Sequence, residues 1–186
     1  AGAKVYNEDV IRPISNPLYA KDGLAVLHGN LAPGGAVIKP AAMEPHLRRH
    51  QGKAVVFKDY NDMSARIDSP ELDVNADDVL VLKNIGPKGA AMPEAGYLPI
   101  PKKLAAQGVK DMVRISDGRM SGTAFGTIVL HVTPEAAIGG PLAWVQSGDR
   151  IRLSVRERRI EWLVSEEELA ARQNAQPVQV PSAERG

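Results

Sequence analysis

Many short apolar runs, each four to six residues long and bounded by glycine, proline or charged residues, predict an α/β domain. Its expected form is a mixed β-barrel or compact β/α unit with short surrounding helices, not a helical bundle. A second observation is the order strand, long loop, helix, strand between positions 79 and 115, a β-α-β-like unit that puts parallel strands in the sheet. A third is composition. Apolar residues make up 44% of the 186 positions and aromatics only 4%, so an aliphatic core of one domain is expected and disorder is excluded.

Residues 1–22 are polar, interrupted by Pro13 and Pro17, and lack sustained periodicity; they read as an extended arm or linker. The domain proper is expected over residues 23–173. Leu24–Leu27 and Ala36–Ile38 read as two strands around a glycine-rich loop containing Pro33, Gly34 and Gly35. His46, Leu47 and His50 fall in a predicted short helix closed by Gly52, followed by a strand at Ala54–Phe57. Val79–Leu82 is a continuous apolar strand. Pro101 before and Gly108 after residues 102–107 are the punctuation of a helix, and Met112–Ile115 is the next strand.

Further on, residues 128–132 form an apolar strand, and a glycine-rich turn at 138–141 follows a short helical piece. Ile151, Leu153 and Val155 alternate with Arg150, Arg152 and Ser154, and Ile160, Trp162 and Val164 repeat the pattern after a charged turn, which predicts a hairpin. Ser165 and Glu168 form a capping box with Val164 and Leu169 as its hydrophobic staple, opening a helix over 166–172. Residues 174–186 read as a loose tail.

Lys and Arg number 23 against 22 Asp and Glu, so the net charge of +1 gives no global field toward nucleic acid or an anionic membrane, and neither partner is expected. The absence of cysteine excludes disulfides, thiolate zinc, a cysteine nucleophile and any iron-sulfur cluster ligated by this chain's own thiols. No run approaches the roughly 18 apolar residues that cross a bilayer, and the N-terminal profile is not that of a secretory signal, so a cytoplasmic location is expected. The first residue is Ala rather than Met, which suits a processed product or a piece of something longer.

Two loops, 84–99 and 116–123, follow the carboxyl ends of predicted strands, the edge where open α/β sheets bind ligands. In the first, Gly86, Gly89, Ala90 and Ala91 are small enough for backbone amides to approach an anion, and Pro87 and Pro93 restrict the chain around one carboxylate, Glu94. The alternative is a surface turn with a solvated Glu. In the second, Arg119 can hold a carboxylate or phosphate with its planar fork, and Ser121 or Thr123 can transfer a proton. A hydroxyl is a poor base unless its alkoxide is stabilised, and a metal ion held by Glu94 would do that; a hydrogen-bonded turn is the alternative.

Other features are weaker. His46 and His50 have metal-ligand spacing but flank Arg48 and Arg49, and a solvated helix face accounts for them. His28 and His131, in apolar strand contexts, are expected to be hydrogen-bonded structural residues. Arg150, Arg152, Arg156, Arg158 and Arg159 make a basic hairpin diluted by Asp149, Glu157 and Glu161.

Four segments in register resemble the C-terminal domain of the dihydroxy-acid dehydratase and phosphogluconate dehydratase family: DGLAVLHGNLAPGGAVIKPAA (22–42), NIGPKGAAMPE (84–94), DMVRISDGRMSGT (111–123) and VLHVTPEAAIGGPLAWVQSGDRIRL (129–153). The texture of residues 98–143 is most similar to the sugar-acid branch, the aldonate dehydratases such as those of arabinonate or xylonate. The resemblance implies a swivelling β/β/α domain packed over a larger N-terminal domain, in an enzyme that is expected to be a homo-oligomer at full length. It also implies removal of water from a 2,3-dihydroxy acid with an iron-sulfur cluster and magnesium.

On matching positions, the resemblance makes Glu94 a magnesium ligand, Ser121 the base that takes the C2 proton and Thr123 a substrate or base-positioning hydroxyl. Arg119, Gly89 and Ala90 would contact the substrate. The cluster cysteines and the other metal ligands belong to the family's N-terminal domain, so this chain by itself is expected to be inactive. The other reading is a stand-alone swivelling domain, either a binding or assembly module or the small subunit of a two-chain hydro-lyase.

Overall fold

The apolar runs become the staves of a closed barrel. The computed structural model describes residues 4–17, 23–92, 98–120 and 125–175. Among these, eight strands form: β1 (Ala25–Gly29), β2 (Ala32–Ile38), β3 (Arg49–Phe57), β4 (Val79–Leu82), β5 (Arg114–Ser116), β6 (Ile128–Thr133), β7 (Arg150–Ser154) and β8 (Arg159–Trp162). They close in the order β1-β2-β6-β5-β4-β3-β7-β8. Strands β3, β4, β5 and β6 pair in parallel, whereas β1/β2, β2/β6, β3/β7 and β7/β8 are antiparallel. The seam is the parallel pairing of β1 with β8, where His28 N donates to Arg158 O at 2.9 Å.

The period of two along a strand divides the core. Val79 and Val81 face the barrel interior with Leu27, Ile115, Val129, Ile151, Leu153, Ile160 and Trp162. Leu80 and Leu82 face outward into a second cluster with Phe57, Met63, Leu98 and Leu104. That outer layer is covered by α1 (Tyr60–Arg66) and α3 (Lys102–Ala106), while the short α2 (Pro87–Ala90) lies in the loop after β4. Burying each Leu contributes about 1.5–3 kcal/mol, and a charge at Val81 would abolish closure.

Residues 59–66 drew no helix expectation, yet Asp59 accepts the Asp62 amide at 2.8 Å and caps α1. At the other end, α4 (Glu166–Ala175) starts as expected, with Ser165 Oγ accepting from Glu168 N at 3.1 Å. It runs past Arg172, whose guanidinium bonds both Asp149 oxygens at 2.6 and 2.9 Å and lies 5.4 Å from the Trp162 ring. The described arm residues 4–17 contain turns and bends but no strand or helix. Residues 176–186, most of the predicted tail, lie outside the described residues.

Three local expectations are corrected. Pro33, Gly34 and Gly35 belong to β2, not to a loop, because β2 passes so close to β6 that a Cβ at Gly34 would sit 2.8 Å from Thr133 Cγ2. His46 is in a 3-10 turn (Pro45–Arg48) and His50 is already in β3, so no helix presents the pair. His50 Nε2 instead lies 2.8 Å from Asp77 O, and Gly52 is a mid-strand residue paired with Ile151. His28 and His131 sit in β1 and β6 but are exposed on the outside of the barrel, since their apolar neighbours Leu27 and Val132 take the inward direction.

Candidate functional site

Parallel pairing brings the carboxyl ends of β3, β4, β5 and β6 to one edge, and buried side chains knit the loops that leave it. Asp117, the first residue after β5, accepts from Asn84 N at 3.2 Å and Ile85 N at 3.0 Å in the loop after β4, and from Ala136 N at 2.9 Å in the loop after β6. Asn84 Nδ2 donates to Lys58 O at 2.8 Å and adds the loop after β3. Burial raises the Asp117 pKa, an effect opposed by those three amide bonds and reinforced by the nearby Glu135 charge.

Glu135 holds the next turn. Its carboxylate is buried, and its oxygens accept from Lys88 N at 2.7 Å and Gly89 N at 3.2 Å. An acid distant in sequence thus satisfies the first turn of α2, where helical amides have no partner of their own. Glycine is required at position 86, because a Cβ there would overlap the Glu135 carboxylate. Of the amides expected to face an anion, that of Gly89 is bonded to Glu135 and that of Ala90 to Gly86 O at 3.0 Å.

Beyond α2 the chain turns through two consecutive left-handed residues, Ala91 (φ 56°) and Met92 (φ 50°). Such conformations are costly for residues with a Cβ and are held here by the fold. Arg119, exposed, donates its Nε to Met92 O at 3.1 Å and so bridges the two loops at their outer side. Within the described residues, the structure therefore brings Gly89, Ala90 and Arg119 to one edge of the barrel. Glu94, Ser121 and Thr123 lie outside the described residues.

Residues not singled out from sequence do much of this work. Lys83, at the end of β4, is buried and donates to Ala143 O at 2.8 Å and Val145 O at 2.5 Å, and burial lowers its pKa to about 8. The available signal was a charged residue flush against an apolar strand. Asp117 follows an apolar strand in an Asp-Gly turn, and Glu135 directly follows Pro134; neither spacing names its partner. At the amino ends of β4 and β5, a groove of about 400 Å³ is lined by Glu44, His46, Asp77, Lys110 and Asp111. Among the described residues no group of three His, Asp or Glu side chains is placed to hold a metal ion, and no helix is long and apolar enough to cross a membrane.

Fold and edge together define a closed mixed-barrel domain with one edge made of loops that follow adjacent parallel strands. The chain belongs to the dihydroxy-acid/6-phosphogluconate dehydratase C-terminal family, whose sequence model matches residues 9–186. It is 54% identical over 168 residues to L-arabinonate dehydratase of Rhizobium leguminosarum bv. trifolii, covering 90% of this chain and 29% of that protein. It is also 54% identical over 176 residues to 6-deoxy-6-sulfo-D-gluconate dehydratase of Pseudomonas putida (92% and 30%). Dihydroxy-acid dehydratase of Methanoregula boonei is 41% identical over 181 residues (96% and 32%). The chain thus spans about a third or less of the length of these curated relatives.

Proposed function

We propose that this chain is the C-terminal catalytic domain of a hydro-lyase that converts a 2,3-dihydroxy sugar acid to a 2-keto-3-deoxy acid and water. The observation that carries this reading is the Asp117 junction, which joins the loops bearing NIGPKGAAMPE and SDGRMSGT at one edge of a domain of this family. The relatives named for arabinonate and sulfogluconate favour a sugar acid, since both are more similar to this chain than the relative named dihydroxy-acid dehydratase is.

In this reading Ser121 takes the proton from C2, the C2–C3 double bond forms as the C3–O bond breaks, the departing hydroxide takes up that proton and leaves as water, and the resulting enol tautomerises to the 2-keto acid. Thr123 orients Ser121 or the substrate. Arg119 pairs with the substrate carboxylate, and the small residues Gly89 and Ala90 line its approach. Glu94 is one ligand of magnesium, an ion that commonly takes one or two protein carboxylates together with substrate oxygens and, when bound, stabilises charge developing beside the carboxylate. The family resemblance assigns the remaining ligands of that ion to the N-terminal domain. An iron-sulfur cluster finds no thiolate in this chain, and its ligands would belong to a larger N-terminal domain.

The test is formation of 2-keto acid from a panel of aldonates by the full-length polypeptide containing this chain. Ser121→Ala is expected to lower turnover by about 10³-fold or more with an unchanged unfolding midpoint. Normal turnover by Ser121→Ala would remove that residue from the mechanism. Turnover by residues 1–186 alone would remove the need for a second domain.

A further inference from the structure

We propose that Arg114 is a positioning residue for this dehydration, fixing the return ends of both site loops against one another through a single guanidinium. The inference rests on the functional reading above. Arg114 opens β5, is 1% exposed, and points outward from the barrel, as Leu80 beside it does. Its Nη1 donates to Leu98 O at 3.1 Å, and its Nη2 donates to Phe125 O at 2.6 Å. Leu98 ends the loop that carries Glu94, and Phe125 ends the loop that carries Ser121 and Thr123. The loops are therefore joined twice: where they leave the strands, by Asp117, and where they return, by Arg114.

The chemistry of the junction explains the choice of residue. A rigid planar fork holds its donors in fixed directions, here toward two carbonyls of separate loops and a carboxylate. Asp111 Oδ1 lies 3.2 Å from Nη2 and neutralises the buried cation, and the Asp111 carboxylate is itself satisfied by Thr127 N, Thr127 Oγ1 at 2.6 Å, Met112 N and Glu44 N. A charge pair this buried is a weak source of net stability compared with apolar packing, so its use here is better explained by the geometry it imposes. If Glu94 and Ser121 act on one substrate, their separation must hold to within a fraction of an ångström, and the Leu98–Arg114–Phe125 bridge sets the base of both loops.

The experiment is Arg114→Lys in the full-length polypeptide. Lysine keeps the charge opposite Asp111 but replaces the two separate nitrogens that bond Leu98 O and Phe125 O with a single one on a flexible stem. Expected is a fall in kcat of about a hundredfold with KM little changed, the loss typical of a misplaced catalytic group. Amide exchange in segments 92–98 and 120–126 is expected to accelerate together. A variant with a lower unfolding midpoint but unchanged kcat would show a purely structural role and overturn the proposal. If Arg114→Lys does not fold, exchange in the unmodified protein decides: segments 98–100 and 125–127 should open as one unit, and independent opening overturns the shared clamp. If the unmodified protein forms no keto acid from any sugar acid, the functional reading fails, while the exchange results still report whether the two loops are coupled.

Discussion

The carboxyl edge of the parallel strands and the outer face of the β7–β8 hairpin are both rich in charge, but they use it in opposite ways. At the carboxyl edge, Asp117, Glu135 and Lys83 are buried and bond the backbone: the acids accept from amides of the loops after β4 and β6, and the lysine donates to the carbonyls of Ala143 and Val145. On the hairpin, Glu161 pairs with Arg152 at 2.5 Å and Arg159 at 2.9 Å, and both arginines stand about half exposed. The first region spends charge on shape, because a buried amide or carbonyl without a partner is expensive. The second spends it in water, where an ion pair contributes little.

The contrast is sharpest at Asp117. Replacing it by Ala leaves three amides, two from the loop after β4 and one from the loop after β6, without an acceptor, and at about 1–3 kcal/mol for each unsatisfied group the expected loss is several kcal/mol, read by urea unfolding. A loss under about 1 kcal/mol would show that water replaces the carboxylate and would erase the distinction between the two regions.

Lys83 gives a pH signature. Its pKa is lowered to about 8, chiefly by burial, with Asp149 and Asp117 acting the other way and Arg172 adding to the shift. Between about pH 8 and the ordinary lysine value the unfolded chain binds more protons than the folded one, so this group's contribution to stability rises with pH across that window. Below it both states are protonated and the burial penalty is constant. Lys83→Met should remove that rise in unfolding experiments across the window; an identical slope in the variant would assign the effect elsewhere.

The smallest effect is expected at Glu161. Its pKa is held down by hydrogen bonds from Arg152 and Arg159, yet both pairs are solvated. Glu161→Gln should cost about 1 kcal/mol or less, and less still at high salt. A larger, salt-independent loss would mean that the hairpin face is covered in the protein's working state.

Legibility in the sequence followed the range of the interactions. Val79–Leu82 was readable residue for residue, because a run of aliphatic side chains buried on both faces needs no partner to announce itself. The start of α4 was equally plain, since its cap lies three residues from its acceptor. The two site loops were recognisable from their motifs and their place after strands, and the family match agrees with the resemblance they carried. The small residues from Gly86 to Ala91 were recognisable as a place where amides can meet an anion, but not that Lys88 N and Gly89 N are bonded by the chain's own Glu135. Nothing in a period of two or 3.6 links position 88 to position 135.

What the sequence determined by itself was therefore most of the short strands, the helices that follow Pro101 and Ser165, the aliphatic core and the family motifs of two loops, all written in local periodicity, caps and turn residues. Only the tertiary structure decided that Pro33–Gly35 is strand rather than loop, that His50 joins β3, that β1 meets β8 to close the barrel, and that Asp117, Glu135 and Arg114 bind loops from different parts of the chain. The physical reason is common to all of these. Each depends on a backbone group brought within about 3 Å by folding, a distance at which a hydrogen bond or a steric overlap decides the outcome and of which the linear order of residues holds no trace.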